Sequence, residues 1–277
     1  MFRYPLTNNH FTALNTPPKH SQLKKENQNL LDLMYLVARF RFINYKLLEE
    51  KSVSDDDLNL KMEHERLSLS IASRVDSLKV ADNHKYGKAI INSIITGDES
   101  IYPLPFDRSY WIIPGFLMAG EIPSSRLKKE RIQKLKRLIH SGVQSIVNLM
   151  ESEEFDFDGK KLKDYSFELQ EIAAIKKFDI TINRYEIVDL GVPARAFMAN
   201  ILTHIQTCLL NEQTLYIHCW GGIGRTGTTV GCFLVNEGIC SNSEVLDFIN
   251  FLKSKTNIAH RNSPETLEQI TFIENWQ

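Results

Sequence analysis

The chain is poor in cysteine, with four in 277 residues, at 208, 219, 232 and 240. None of the spacings is that of a zinc site or a secreted disulfide framework, so neither metal nor disulfide scaffold is expected, and no cofactor motif stands in their place. Long hydrophobic runs are missing too. No stretch of eighteen apolar residues occurs, which excludes a membrane-spanning helix, and Met1–His10 lacks the apolar core of a signal peptide. The expected compartment is the cytoplasm, which keeps thiols reduced. Charge of one sign is absent: 33 Lys and Arg oppose 34 Asp and Glu, a net charge of −1. That argues against general affinity for nucleic acid, and any anion site must build its own local field. No internal repeat is visible. What is present is a chain 43% hydrophobic, long enough for one large or two ordinary domains.

The most informative stretch is His218-Cys-Trp-Gly-Gly-Ile-Gly-Arg-Thr-Gly-Thr228. The apolar run Thr214–Ile217 before it reads as a buried strand, and a helical pattern follows from Thr226 to Glu237. A strand, a glycine-rich turn and a helix start aim backbone N–H groups at one spot, where the helix dipole also favours negative charge. Trp220, Gly221, Gly222, Ile223 and Gly224 would supply those amides, and the same field stabilises a thiolate at Cys219. Arg225 selects the anion, because its planar fork grips two phosphate oxygens at once. Upstream, Ile187-Val-Asp-Leu-Gly-Val-Pro193 leaves a strand-like run and breaks into a loop. Asp189 there could protonate a departing oxygen, although such a residue by itself would read as a turn or cap.

His218-Cys219-x5-Arg225-Thr226-Gly227, with Asp189-x-Gly191-x-Pro193, resembles the cysteine-dependent protein-tyrosine phosphatases, in particular the compact dual-specificity and bacterial-type members. The resemblance spans roughly residues 108–277. It implies a phosphocysteine formed on Cys219, phosphate held by Arg225, a proton from Asp189, help with thiolate release from Thr226, and a loop ordered by His218. A late glutamine orients the hydrolytic water in the tyrosine-specific members. Here Gln269 fits a second glutamine of that pattern, Glu265 stands where the first is expected, and Ile187 and Val188 replace the usual tryptophan and proline. The implied reaction is hydrolysis of phosphotyrosine in proteins, with phosphoserine and phosphothreonine as further substrates. A non-protein ester such as a phosphoinositide or nucleotide is the alternative, disfavoured because Trp220–Gly224 contains no lysine. An inactive phosphate-binding adaptor is disfavoured because cysteine, arginine and acid are all present.

The chain divides near residue 100. Residues 1–20 read as an irregular arm and 21–100 as a helical region. Its first helix spans Gln22–Lys51; the second is capped by Ser54 and runs through Leu58, Met62, Leu67, Ile71, Val75 and Leu78. These helices are expected to pack on the catalytic part, with a partner-docking surface as the alternative. Residues 101–277 alternate strand and helix, implying an α/β fold with a largely parallel central sheet flanked by helices. Strand candidates are Trp111–Phe116, Ser145–Met150, Thr181–Val188 and Thr214–Ile217. Helix candidates are Ser124–His140, Ala194–Leu210, Arg225–Glu237, Ser243–Ser254 and Pro264–Trp276. The basic run Lys128–Arg137 reads as a solvated helix face. Glu151, Glu153 and Glu154 read first as a solvated turn, with support of Arg225 or a substrate cation as the other readings.

Overall fold

A computed structural model describes residues 20–49, 55–78, 87–96, 101–155 and 158–277. The expected arm and the Ser54 cap lie outside these residues. A five-stranded sheet is ordered β1-β2-β5-β3-β4, from β1 (Ser109–Ile113), β2 (Leu117–Gly120), β3 (Val143–Asn148), β4 (Thr181–Arg184) and β5 (Thr214–His218). Only the β1/β2 pair is antiparallel; β2/β5, β5/β3 and β3/β4 run parallel. The sheet is therefore largely parallel, as the alternation of elements implied.

Period two sorts the central strands between the faces. Leu215 and Ile217 of β5 point into one core and Tyr216 into the other; Val147 and Ile146 of β3 divide the same way. The first face is covered by α6 (Arg195–Leu210), α7 (Gly224–Asn236), α8 (Val245–Lys253) and α9 (Leu267–Glu274). The second is covered by α4 (Lys128–His140) and α5 (Ser166–Lys176).

The N-terminal helices α1 (His20–Glu49), α2 (Asp55–Ser77) and α3 (Lys88–Ile95) lie on the first face and share its core. Phe42 of α1 stacks on Phe248 of α8, with ring centroids 4.5 Å apart. Arg39 of α1 bonds Glu63 of α2 and Glu244 beside α8, both at 2.8 Å. In α2 the expected stripe is only half used: Leu67, Ile71 and Val75 are buried while Leu58 and Met62 are exposed.

Several elements depart from the sequence reading. The run expected as one strand over Trp111–Phe116 stops at Ile113, turns through Gly115 at φ 79° and becomes a second strand, β2. Helix α5 escaped the reading because exposed Phe167 and Ile175 blur the stripe of Leu169, Ile172 and Ala173. The basic face of α4 is not wholly solvated: Arg131 is buried and paired with Glu168 of α5. Strand β4 ends at Arg184, yet the chain keeps bonding along β3, with Tyr185 N on Asn148 O at 2.8 Å and Ile187 N on Leu149 O at 3.2 Å. That continuation delivers Asp189 to the carboxyl ends of the parallel strands, where open α/β sheets bind ligands.

Candidate active site

Strand β5 is buried throughout and ends at His218, flanked in register by Gly120 of β2 and Asn148 of β3. The loop 219–223 then leads directly into α7. Gly222 holds φ 74°, and a Cβ there would lie 2.6 Å from Glu121 N, so only glycine lets the loop lie against the end of β2. The side chains of Cys219, Ile223, Arg225 and Thr226 are buried, while Trp220 and Gly221 are partly open. Ile223 O accepts from Ser263 Oγ at 2.8 Å, and Trp220 O from Ile122 N at 3.0 Å. The loop is thus tied down from two sides.

His218 sits within this frame. Its Nδ1 lies 3.0 Å from Cys219 O and its Nε2 2.5 Å from the Tyr165 hydroxyl. A carbonyl can only accept, so Nδ1 carries the proton and Nε2 accepts from tyrosine. Burial pushes the imidazole pKa down to about 3 and the Tyr165 phenol upward, so both stay neutral and the chain of bonds persists.

Arg225, also buried, is gripped by two carboxylates. Glu154 receives both terminal nitrogens, Nη2 at 3.0 Å. Nη1 further donates to Ile187 O at 3.0 Å, and Nη2 meets Asp189 Oδ1 at 2.8 Å. Burial works against its charge, but Glu154, Cys219 and Asp189 outweigh it, and the pKa rises. Its Nε and the Thr226 hydroxyl are buried without a hydrogen-bond partner. Unmet groups of this kind inside an anion-binding loop are what an incoming phosphate and a thiolate would satisfy.

The loop bearing Asp189 is half-exposed and docks on the start of α9. Thr266 Oγ1 donates to Leu190 O at 3.2 Å and Gln269 Nε2 to Gly191 O at 3.1 Å. Gln269 is wholly buried, and its amide oxygen accepts from Glu265 N at 3.1 Å and Thr266 N at 3.2 Å. Its amide is thus engaged in latching the loop and capping the helix. Glu265 bonds Arg261 at 2.5 Å, and both Glu265 and Gln269 lie close to Gly224 at the start of α7.

His218, Cys219, Trp220–Gly224, Arg225, Thr226, Asp189, Glu265 and Gln269 therefore gather at the end of β5 and the N-terminus of α7, whereas Glu153 is exposed and pairs with Lys161. The sequence reading passed over Tyr165, which carries no local signal, and Thr266, whose Thr-x-x-Gln spacing to Gln269 is a capping-box pattern that could have marked the start of α9, and it ranked Glu154 first as a solvated turn. Glu154 is instead partly buried and paired with Arg225. Among the described residues no cluster of His, Cys, Asp and Glu suits a metal ion, and no helix is long and apolar enough to cross a membrane.

Residues 124–239 match the family model described as "Polymorphic toxin system, DSP-PTPase phosphatase". The mouse protein tyrosine phosphatase domain-containing protein 1 is 27% identical over 127 residues, covering 46% of this chain and 17% of that one. Rat cyclin-dependent kinase inhibitor 3 is 32% identical over 104 residues, covering 37% and 46%. The chain thus spans less than half the length of these curated relatives. Among solved structures, Tk-PTP in its active form superposes with a TM-score of 0.44 at 18% identity, over 62% of this chain and 97% of that one. The family segment encloses Asp189, Cys219 and Arg225 but neither Gln269 nor helices α1–α3. Over that segment the chain is similar to phosphatases of the protein-tyrosine and dual-specificity kind.

Proposed function

We propose that the chain hydrolyses phosphotyrosine in proteins, with phosphoserine and phosphothreonine as slower substrates, in a reducing, cytoplasmic setting. The Cys219 thiolate attacks phosphorus while three phosphoryl oxygens are held by Arg225 and the amides of Trp220–Gly224. The phosphorus–oxygen bond to the tyrosyl group breaks as Asp189 protonates the leaving oxygen. Water then attacks the phosphocysteine and gives its proton to Asp189; inorganic phosphate leaves, and the Thr226 hydroxyl steadies the released thiolate. His218 holds the loop in shape.

The observation that most supports this reading is the 2.8 Å contact between Arg225 Nη2 and Asp189 Oδ1, which sets an acid beside a buried cysteine and guanidinium. The test is turnover on phosphotyrosine peptides, phosphoserine peptides and phosphoinositides. The expected kcat/KM for phosphotyrosine exceeds that for phosphoinositides by about tenfold or more, and Cys219→Ser abolishes turnover. A preference for phosphoinositides, or activity retained by Cys219→Ser, would overturn the proposal.

A further inference from the structure

The seam between the Asp189 loop and α9 is lined by large apolar side chains standing in solvent. Val188 is 66% exposed, Leu190 50% and Leu267 77%. Single exposed leucines are ordinary on a protein surface. These three are not scattered. Val188 and Leu190 flank the residue that meets Arg225, and Leu267 follows Thr266, whose hydroxyl binds Leu190 O at 3.2 Å. Leu190 also holds φ 62°, a conformation that asparagine or glycine adopts with less strain.

Three cations on the neighbouring loops are paired with carboxylates, while Arg184 donates to the Met150 and Glu151 carbonyls and Arg195 to Asn275 O. Arg261 is paired with Glu265 at 2.5 Å and Lys161 with Glu153 at 2.6 Å, while Arg225 is held by Glu154 and Asp189. Next to Asp189 itself the surface offers apolar area, against which aliphatic side chains beside a phosphorylated residue would bury surface.

We propose that Val188, Leu190 and Leu267 form a recognition ridge for apolar residues flanking the phosphotyrosine of a protein substrate. The inference rests on the phosphatase reading for the identity of the adjoining phosphate pocket. On the full chain carrying Cys219→Ser, fluorescence anisotropy compares two labelled phosphotyrosine peptides that differ only beside the phosphotyrosine, with Leu and Val in one and Ser and Asp in the other. The apolar peptide is expected to bind about tenfold more tightly. Adding Val188→Thr with Leu267→Ser should bring that ratio to within about twofold while circular dichroism stays native. If the double variant unfolds, the exposed Leu267→Ser alone is read by the same ratio and should at least halve it. Equal affinities, a preference for the acidic peptide, no binding of either, or a ratio that survives substitution each overturns the ridge. Wild-type turnover of a small aryl phosphate, too short to reach the ridge, is the separate arm. Its absence would refute the phosphatase reading and leave a measured peptide preference standing.

Discussion

Arg225 touches Glu154, Asp189 and a backbone carbonyl at once, so its planar fork matters as much as its charge. Arg225→Lys keeps the charge and loses the fork; kcat/KM is expected to fall by about two to three orders of magnitude, a loss on the scale of removing one preorganised donor. Steady-state kinetics on a phosphotyrosine peptide would check it, and a rate near wild type would mean that the loop amides bind phosphate alone. Asp189→Ala should cost about two to four orders on tyrosyl phosphate and far less on an activated aryl phosphate, whose phenol leaves without a proton. Equal losses on both would make Asp189 a loop-shaping residue only. His218 supplies a stability signature. Burial holds its pKa near 3 in the folded chain against 6.5 for the ordinary imidazole, so between those values only the unfolded chain takes the proton. Its contribution is intact above pH 6.5 and is lost as pH falls toward 3, by about 1.4 kcal/mol per unit. Urea unfolding at pH 7 and pH 5 should show that slope, and His218→Asn should flatten it.

At the scale of elements, the site is assembled by helix starts and strand ends. Helix α7 offers its N-terminal amides, and α9 holds the Asp189 loop through Thr266 and Gln269. Gln269→Ala would leave Gly191 O and two backbone amides without that partner, at a cost of about 1–3 kcal/mol of stability. It should also lower kcat on tyrosyl phosphate more than on an activated aryl phosphate, because what is released is the loop bearing the acid. Chemical denaturation with kinetics on the two substrates would decide; equal rate losses would place the effect elsewhere. The start of α7 was legible from glycines and hydrophobic period, since a strand feeding a glycine turn is a local pattern. The latch was not. Nothing near Gln269 in the chain tells which distant carbonyl its amide reaches, and Glu154 carries no mark that separates it from a solvated acid.

For the whole molecule, α1 is part of the core rather than an appendage. Its Leu31, Leu33, Val37, Phe42 and Ile43 are buried in one core with Phe233 of α7 and Phe248 of α8. Truncation to residues 101–277 should expose that face, lower Tm and promote aggregation, measured by thermal unfolding and light scattering. A truncated chain as stable as the full one would assign α1 a different task. The α/β alternation, the period of α1 and the strand, glycine turn and helix around Cys219 followed from sequence alone, because backbone geometry and burial impose their repeat within a few residues. The antiparallel β1/β2 turn, the half-used stripe of α2, Arg131 buried on Glu168, and the meeting of Asp189, Glu154 and Arg225 were decided only by tertiary structure. For the Arg131–Glu168 pair and for the meeting of Asp189, Glu154 and Arg225, the physical reason is that the contacts join residues tens of positions apart, and only the order of strands in the sheet sets which of them meet.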